Sequence, residues 1–372
     1  FVRDLRFMKI IFFCQYLFSR DGTHSGHTSL LRQFVPQLIE RGFEVEVIAL
    51  AGKTSSEAPC KVHVLQTTDH QSDWGLLRKM LFWMKVVCIL AIFVLKNYRI
   101  LKHSTLVTLT VGASFVLPLF FRHVFIWENV AYFEKRPVVD KLRLWVMSIL
   151  NSIVVVPTES ERNVLQTLSF PLNVKFVRNW FSPLLIKKSR YNNSAPLQFM
   201  SAGFLEDRKG FDLLIRSVNL VKSKLPAGVE FHIYGDGPER ENLAELIKDH
   251  DLESVIFLKG IRDGLEQIYR QYDIFILPSR LEGFPLVMIN SLACGLPCIA
   301  FNCPTGPGQI IESGVNGYLI ENGNIHDLAS AIIDIGNKED ISIYARGAID
   351  SAKSYDIQNI MDVWIEMISE VT

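Results

Sequence analysis

The stretch from Ile274 to Phe301 limits the fold of this chain more than any other. Two short apolar runs, Ile274-Phe275-Ile276-Leu277 and Pro297-Cys298-Ile299-Ala300-Phe301, bracket a loop and a helix-length segment. Unbroken runs of this kind read as buried strands, and strands alternating with helices are the signature of a parallel α/β sheet. The loop carries Glu282 and Gly283. Gly283 frees backbone amides at a helix N-terminus, where the dipole favours an anion. Glu282 stands at the carboxyl end of a strand, where open α/β sheets hold their ligands. Together they suit a ligand bearing phosphate and hydroxyl groups, such as a sugar nucleotide.

The same alternation runs through the whole chain. In the first half the pattern predicts strands at 9–13, 44–50, 105–109, 123–127 and 152–156, with helices at 28–41, 76–97, 112–120 and 137–149. Pro36 falls inside the first of these helices and should kink it. In the second half, strands are expected at 197–202, 229–234 and 255–259, and helices at 211–224, 238–249 and 264–271, before the stretch described above. A final helix near 357–370 shows an apolar stripe through Ile357, Ile360, Met361, Trp364, Ile365 and Ile368. A length of 372 residues suits two domains, each able to bury its own core. The polar, proline-bearing segment 181–196 reads as their linker, dividing a domain at 1–180 from one at 197–355.

Net charge is zero, yet unevenly spread: residues 1–190 hold 25 Lys+Arg against 13 Asp+Glu, and residues 191–372 hold 14 against 26. A basic first half suits an anionic surface or substrate. No nucleic-acid-binding motif accompanies it, so nucleic acid is not expected. The six cysteines lack metal-ligand spacing and read as reduced core residues of a cytosolic protein. Met8 precedes the first strand and is a candidate natural initiator. The run Met80 to Leu95 is too short for a spanning helix. Its flanking Arg78, Lys79, Lys96, Arg99 and Lys102 are those of a helix lying either in the domain core or at an anionic membrane surface.

The run Glu282 through Ala300 resembles the donor-site signature of retaining glycosyltransferases of family 4, glycosyltransferase group 1. The likeness extends to Gly203-Phe204-Leu205-Glu206-Asp207-Arg208-Lys209-Gly210, to Tyr234-Gly235-Asp236-Gly237-Pro238-Glu239, to Cys303-Pro304-Thr305-Gly306-Pro307 and to Gly314-Val315-Asn316-Gly317. It implies a GT-B fold: two Rossmann-like domains facing across a cleft, with the last segment, 356–372, crossing back onto the first domain. It also implies metal-independent transfer of a sugar, with retention, from a UDP- or GDP-sugar to a saccharide or polyprenyl-linked acceptor. Surface polysaccharide or lipopolysaccharide assembly at the inner face of the cytoplasmic membrane would fit. No cofactor beyond the nucleotide-sugar co-substrate is expected.

Carried onto this chain, the resemblance makes Glu282 the acid that binds sugar hydroxyls and Lys209 the cation that neutralises the departing diphosphate. Glu128, after the strand at 123–127, falls where relatives carry a sugar-contacting histidine. Ser25 and Gly26 occupy the place of a paired-glycine turn, and Gly260 and Ile261 the place of a base-packing loop. Gly283, Phe284, Pro285 and Leu286 would line the donor at the helix start. With Glu128, four positions depart from the family pattern. Phe204 replaces an arginine, whose role Arg208 would take over. Asn290 replaces the second acid, which grips the ribose. Gln309 stands where a further acid approaches the sugar. These departures keep open the reading of a non-catalytic GT-B scaffold. A sugar-nucleotide epimerase, which would consume donor without acceptor, is a third reading.

Overall fold

The computed structural model describes residues 8–16, 26–51, 60–65, 76–109, 121, 123–127, 137–182, 196–262, 264–338 and 340–371. The chain forms two compact units, Phe1–Arg178 with Gln358–Thr372, and Asn179–Ile357. Of the segment expected as a linker, residues 183–195 lie outside the described residues, as do Ser25, Glu128 and the helix expected at 112–120.

The first unit holds strands β1 (Lys9–Tyr16), β2 (Glu44–Ala51), β3 (Lys61–Val64), β4 (Thr105–Thr108), β5 (His123–Trp127), β6 (Ile153–Val156) and β7 (Asn173–Phe176). Its helices are α1 (Gly26–Glu40), α2 (Leu76–Leu101), α3 (Pro137–Ile149) and α4 (Glu159–Gln166). The strands run in the order β3-β2-β1-β4-β5-β6-β7, every pair parallel. Alternation along β1 sends Ile11 and Phe13 to one face, where Leu90 and Val94 of α2 and Leu144 and Met147 of α3 cover them. Phe12 points the other way, against Phe34 of α1 with ring centroids 5.8 Å apart. Pro36 sits inside α1, which still runs as one helix, and Gly26 is its first residue.

The second unit holds β8 (Gln198–Ala202), β9 (Glu230–Tyr234), β10 (Ile256–Gly260), β11 (Ile274–Leu277), β12 (Cys298–Phe301) and β13 (Gly317–Ile320). Its helices are α5 (Phe211–Val221), α6 (Arg240–Asp249), α7 (Leu265–Ile268), α8 (Leu286–Ala293), α9 (Ile325–Gly336) and α10 (Ser342–Ala352). The order is β10-β9-β8-β11-β12-β13, again wholly parallel. Ile274 and Ile276 of β11 join one core with α5, α6 and α9, whereas Phe275 and Leu277 join the opposite core with α8 and α10. Burial on both faces explains why these strands are apolar throughout. Asn324 caps α9, its side chain accepting from the His326 and Asp327 amides at 3.2 and 3.1 Å.

The last helix, α11 (Ile357–Val371), belongs to the first unit. Its apolar stripe buries Trp364 completely, 5.1 Å from the Trp127 ring and 5.5 Å from Phe34. Arg41 donates to Gln358 at 2.6 Å and Lys175 to Glu370 at 3.0 Å, so polar edges fix the helix beside its apolar stripe. Trp364→Ala should cost about 3–5 kcal/mol of stability by urea denaturation, the range for an emptied aromatic site. Glu366→Ala, at an exposed position of the same helix, should stay within about 0.5 kcal/mol.

Candidate functional site

Three loops of the second unit converge at the carboxyl ends of β8, β11 and β12. The first runs from β8 through a short 3-10 turn, Asp207–Lys209, into α5. Gly210 ends that turn with φ +65°, and a Cβ there would lie 1.9 Å from the Pro278 carbonyl oxygen. Only glycine lets the turn lie flat on the loop after β11. The Arg280 amide then donates to the Arg208 carbonyl at 2.9 Å. Arg280 clamps the same junction with its side chain, donating to both Asp212 carboxylate oxygens at 2.7 Å and to the Asp207 carbonyl at 2.7 Å. The guanidinium fork fits a carboxylate in this two-bond manner.

That junction brings together residues far apart in sequence. Lys209 Nζ donates to Glu282 Oε1 at 2.6 Å, and Ser279 Oγ donates to the same oxygen at 2.7 Å. Arg208 Nη1 lies 3.7 Å from Glu282 Oε2 and donates to the Leu281 carbonyl at 3.2 Å. Glu206 in turn accepts from Arg208 Nε and Nη2 at 3.0 and 2.6 Å. The Glu282 side chain is only 6% exposed and that of Lys209 15%. A carboxylate so enclosed needs its cation, because desolvation of a lone charge costs several kcal/mol. Lys209 has two further N–H donors to offer an incoming anion.

The third loop follows β12. Thr305 adopts φ +62° and donates from Oγ1 to the Glu282 carbonyl at 2.5 Å and to the Gly283 carbonyl at 3.2 Å. Gly306, at φ +77°, is packed so that a Cβ would come 2.6 Å from the Gly283 oxygen. The Glu282-Gly283 peptide is thereby held from both sides. Cys303, buried in the same loop, has its thiol pushed up to about 12, first by burial and then by the Glu282 carboxylate. It is a packing residue and not a nucleophile.

Glu282, Lys209 and Arg208 thus form one cluster, and Ser279 and Thr305 complete it. Neither of the latter two was anticipated as a site residue, although Thr305 lies inside a recognised motif. Gly283 is buried at the loop bend and Pro285 caps α8, whose first residue is the half-buried Leu286. The Phe284 side chain, expected at the donor, instead packs in the core 5.8 Å from the Tyr355 ring. Asn290, midway along α8, accepts from the Ser182 amide through Oδ1 at 2.9 Å. Its oxygen therefore ties backbone within the second unit. Gln309 is exposed at the end of the Pro307–Gln309 turn. Gly260 closes β10 with φ +70° and Ile261 beside it is half exposed. Backbone bonds from Gly203 to Tyr234 and from Gly235 to Gly260, both 3.0 Å, stitch β8, β9 and β10 at the ends where Phe204 and Ile261 emerge. Gly26 belongs to the first unit, and Ser25 and Glu128 lie outside the described residues. Among the described residues no group of three or more His, Cys, Asp or Glu side chains is arranged to hold a metal ion.

Residues 185–351 match the family model described as glycosyl transferases group 1. An uncharacterized glycosyltransferase of Haemophilus influenzae is 27% identical over 96% of this chain and 98% of its own length. The poly(ribitol-phosphate) alpha-N-acetylglucosaminyltransferase of Staphylococcus aureus is 33% identical over 43% of this chain, a third of that larger protein. A crystal structure of S. aureus TarM with fondaparinux, alpha-GlcNAc-glycerol and UDP superposes with a TM-score of 0.80, covering 96% of this chain and 99% of that one at 16% identity. At that identity the likeness establishes the fold, GT-B. On these matches the chain has the GT-B fold and resembles glycosyltransferases, its second unit being similar to those of group 1.

Lys209→Met should lower stability by about 3 kcal/mol in urea, the low end of the range for a buried pair that loses one partner, because Arg208 stays near the enclosed Glu282. Adding Glu282→Gln to that variant should recover part of the loss, a coupling read from the double-mutant cycle. Iodoacetamide at pH 8 should label the exposed Cys88 while sparing Cys14, Cys298 and Cys303. Burial pushes each of these three thiols up to about 12, so their thiolate is scarce at that pH. Mass spectrometry of the intact folded protein would read the sites.

Proposed function

We propose that this chain transfers a sugar, with retention and without a metal, from a nucleoside-diphosphate donor to a hydroxyl of a saccharide or lipid-linked acceptor. The observation that carries this reading is the enclosed Lys209–Glu282 pair, backed by Arg208, at the carboxyl ends of parallel strands. In the proposed step the bond from the anomeric carbon to the diphosphate oxygen breaks, and its electron pair leaves with the nucleoside diphosphate. The acceptor oxygen bonds to the same carbon, and its proton passes to a departing phosphate oxygen. Attack from the face that the diphosphate leaves gives retention.

Lys209 and Arg208 are suited to neutralise the charge growing on the leaving diphosphate, the role that fixed cations serve best in a water-poor site. The backbone amides at the start of α8 add donors for the same anion. Glu282, already oriented by Ser279 and by the Thr305 brace on its carbonyl, is suited to accept hydrogen bonds from sugar hydroxyls near the reacting carbon. Asn290 offers its amide N–H groups where an acid would accept, which alters the grip on a ribose. The UDP held by TarM supports a uridine nucleotide as the first to try, with GDP-sugars the second. The poly(ribitol-phosphate) in the relative's name supports a polymer as the acceptor.

Glu282→Gln keeps the size of the side chain and should lower kcat by about a hundredfold, and Lys209→Met by about a hundredfold or more, measured as nucleoside diphosphate release with donor and acceptor. A thermal-shift panel of UDP- and GDP-sugars should raise Tm for one of them, as mass action requires for a ligand of the native state. Full activity in Glu282→Gln would remove this assignment. The absence of any nucleotide response would favour the scaffold, and turnover of donor without acceptor the epimerase.

A further inference from the structure

The outer layer that covers one face of the first sheet presents an apolar surface ringed by cations. Helices α2 and α3 both pack on the β1 face bearing Ile11 and Phe13. Their opposite sides are exposed and apolar. On α2, Ile92, Leu95 and Tyr98 stand out, Leu95 at 69% exposure. On α3, Leu142, Trp145 and Ile149 follow one another at helical spacing along one stripe, with Trp145 47% exposed. Lys85, Lys96 and Arg99 of α2, Lys102 just beyond it and Lys141 of α3 are exposed among them. The whole of α2, Leu76–Leu101, contains no acidic residue. No helix among the described residues is long and apolar enough to cross a membrane.

We propose that this α2–α3 face docks on the surface of an anionic lipid bilayer, its apolar side chains entering the headgroup region and its cations pairing with lipid phosphates. Apolar groups and cations on one helical layer, with a tryptophan among them, are what an interfacial helix requires. Charge decides against a second copy of the chain as the occupant, since a two-fold interface would set this acid-free face of α2 against itself. The proposal does not rest on the donor site, which belongs to the other unit.

The test is flotation of the purified full-length protein with vesicles of phosphatidylcholine alone, or with about a third phosphatidylglycerol, the kind of anionic fraction that attracts polybasic segments. The wild type should float with the anionic vesicles only, and raised salt should weaken the binding, because surface charge is screened. Leu95→Glu with Trp145→Glu should abolish flotation. Lys96→Glu with Arg99→Glu should reduce it roughly tenfold or more, as expected for cations near a charged leaflet. All four positions are exposed, so the variants should keep the wild-type melting temperature and nucleotide response. That response separates a failure here from a failure of the glycosyl-transfer reading.

Three results would overturn the docking face. The wild type would stay with the soluble fraction beside anionic vesicles, the Leu95→Glu/Trp145→Glu protein would float as well as wild type, or light scattering would show a dimer or an acidic-protein complex that the same pair of substitutions dissolves. The wild-type arm needs no variant to fold.

Discussion

One contact sets the chemistry of the second unit, the closeness of Gly210 to the Pro278 carbonyl. Where the turn after β8 can touch the loop after β11, Lys209 reaches Glu282. With any side chain at Gly210 the two loops would have to part. The ion pair is the result of that approach, and its enclosure raises its cost and its usefulness together. A buried pair adds little net stability, because desolvation offsets much of the attraction. It does hold two charged groups in register without further reorganisation when a charged ligand arrives, which is how electrostatic catalysis lowers a barrier. The Arg280–Asp212 clamp and the Thr305 brace serve that register from either side.

Much of this was legible in the sequence because it is local. The runs at β11 and β12, the glycines at the turns and the Arg208-Lys209-Gly210 and Glu282-Gly283 motifs each declare themselves within a few residues. What stayed illegible depends on tertiary contact. Phe284 sits inside a recognised motif, yet its ring faces Tyr355 in the core. Asn290 occupies the place of an acid, yet its oxygen is engaged by the Ser182 amide, from a segment 108 residues earlier. Ser279 carries no periodic or motif signal that distinguishes it from any loop serine, and only the folded loop turns it onto Glu282.

The fold shows the same division. Apolar, fully buried strands such as β11 and β12 were placed from pattern, whereas the equally short β3 and β7, with polar residues at alternate positions and partial exposure, were not. Short strands at a sheet edge gain their identity from the neighbour they pair with, and sequence pattern alone underdetermines them. The apolar run in α2 was compatible with a core helix or a surface one. The structure gives it both characters, Leu90 and Val94 inward and Ile92 and Leu95 outward. A window average of hydrophobicity cannot separate the two sides of such a helix; their angular positions can.

The place of α11 also bears on how the chain can be taken apart. Residues 179–357 are a single uninterrupted insert, while the first unit is discontinuous, made of 1–178 and a short distal piece that supplies Trp364. Cutting the gene after residue 357 would deprive the amino-terminal half of the indole that fills its aromatic core. A free-standing first unit needs its two pieces spliced through a short bridge, whereas the second can be excised as one fragment. Recombination between related chains meets the same asymmetry: the distal helix must travel with the amino-terminal half it completes.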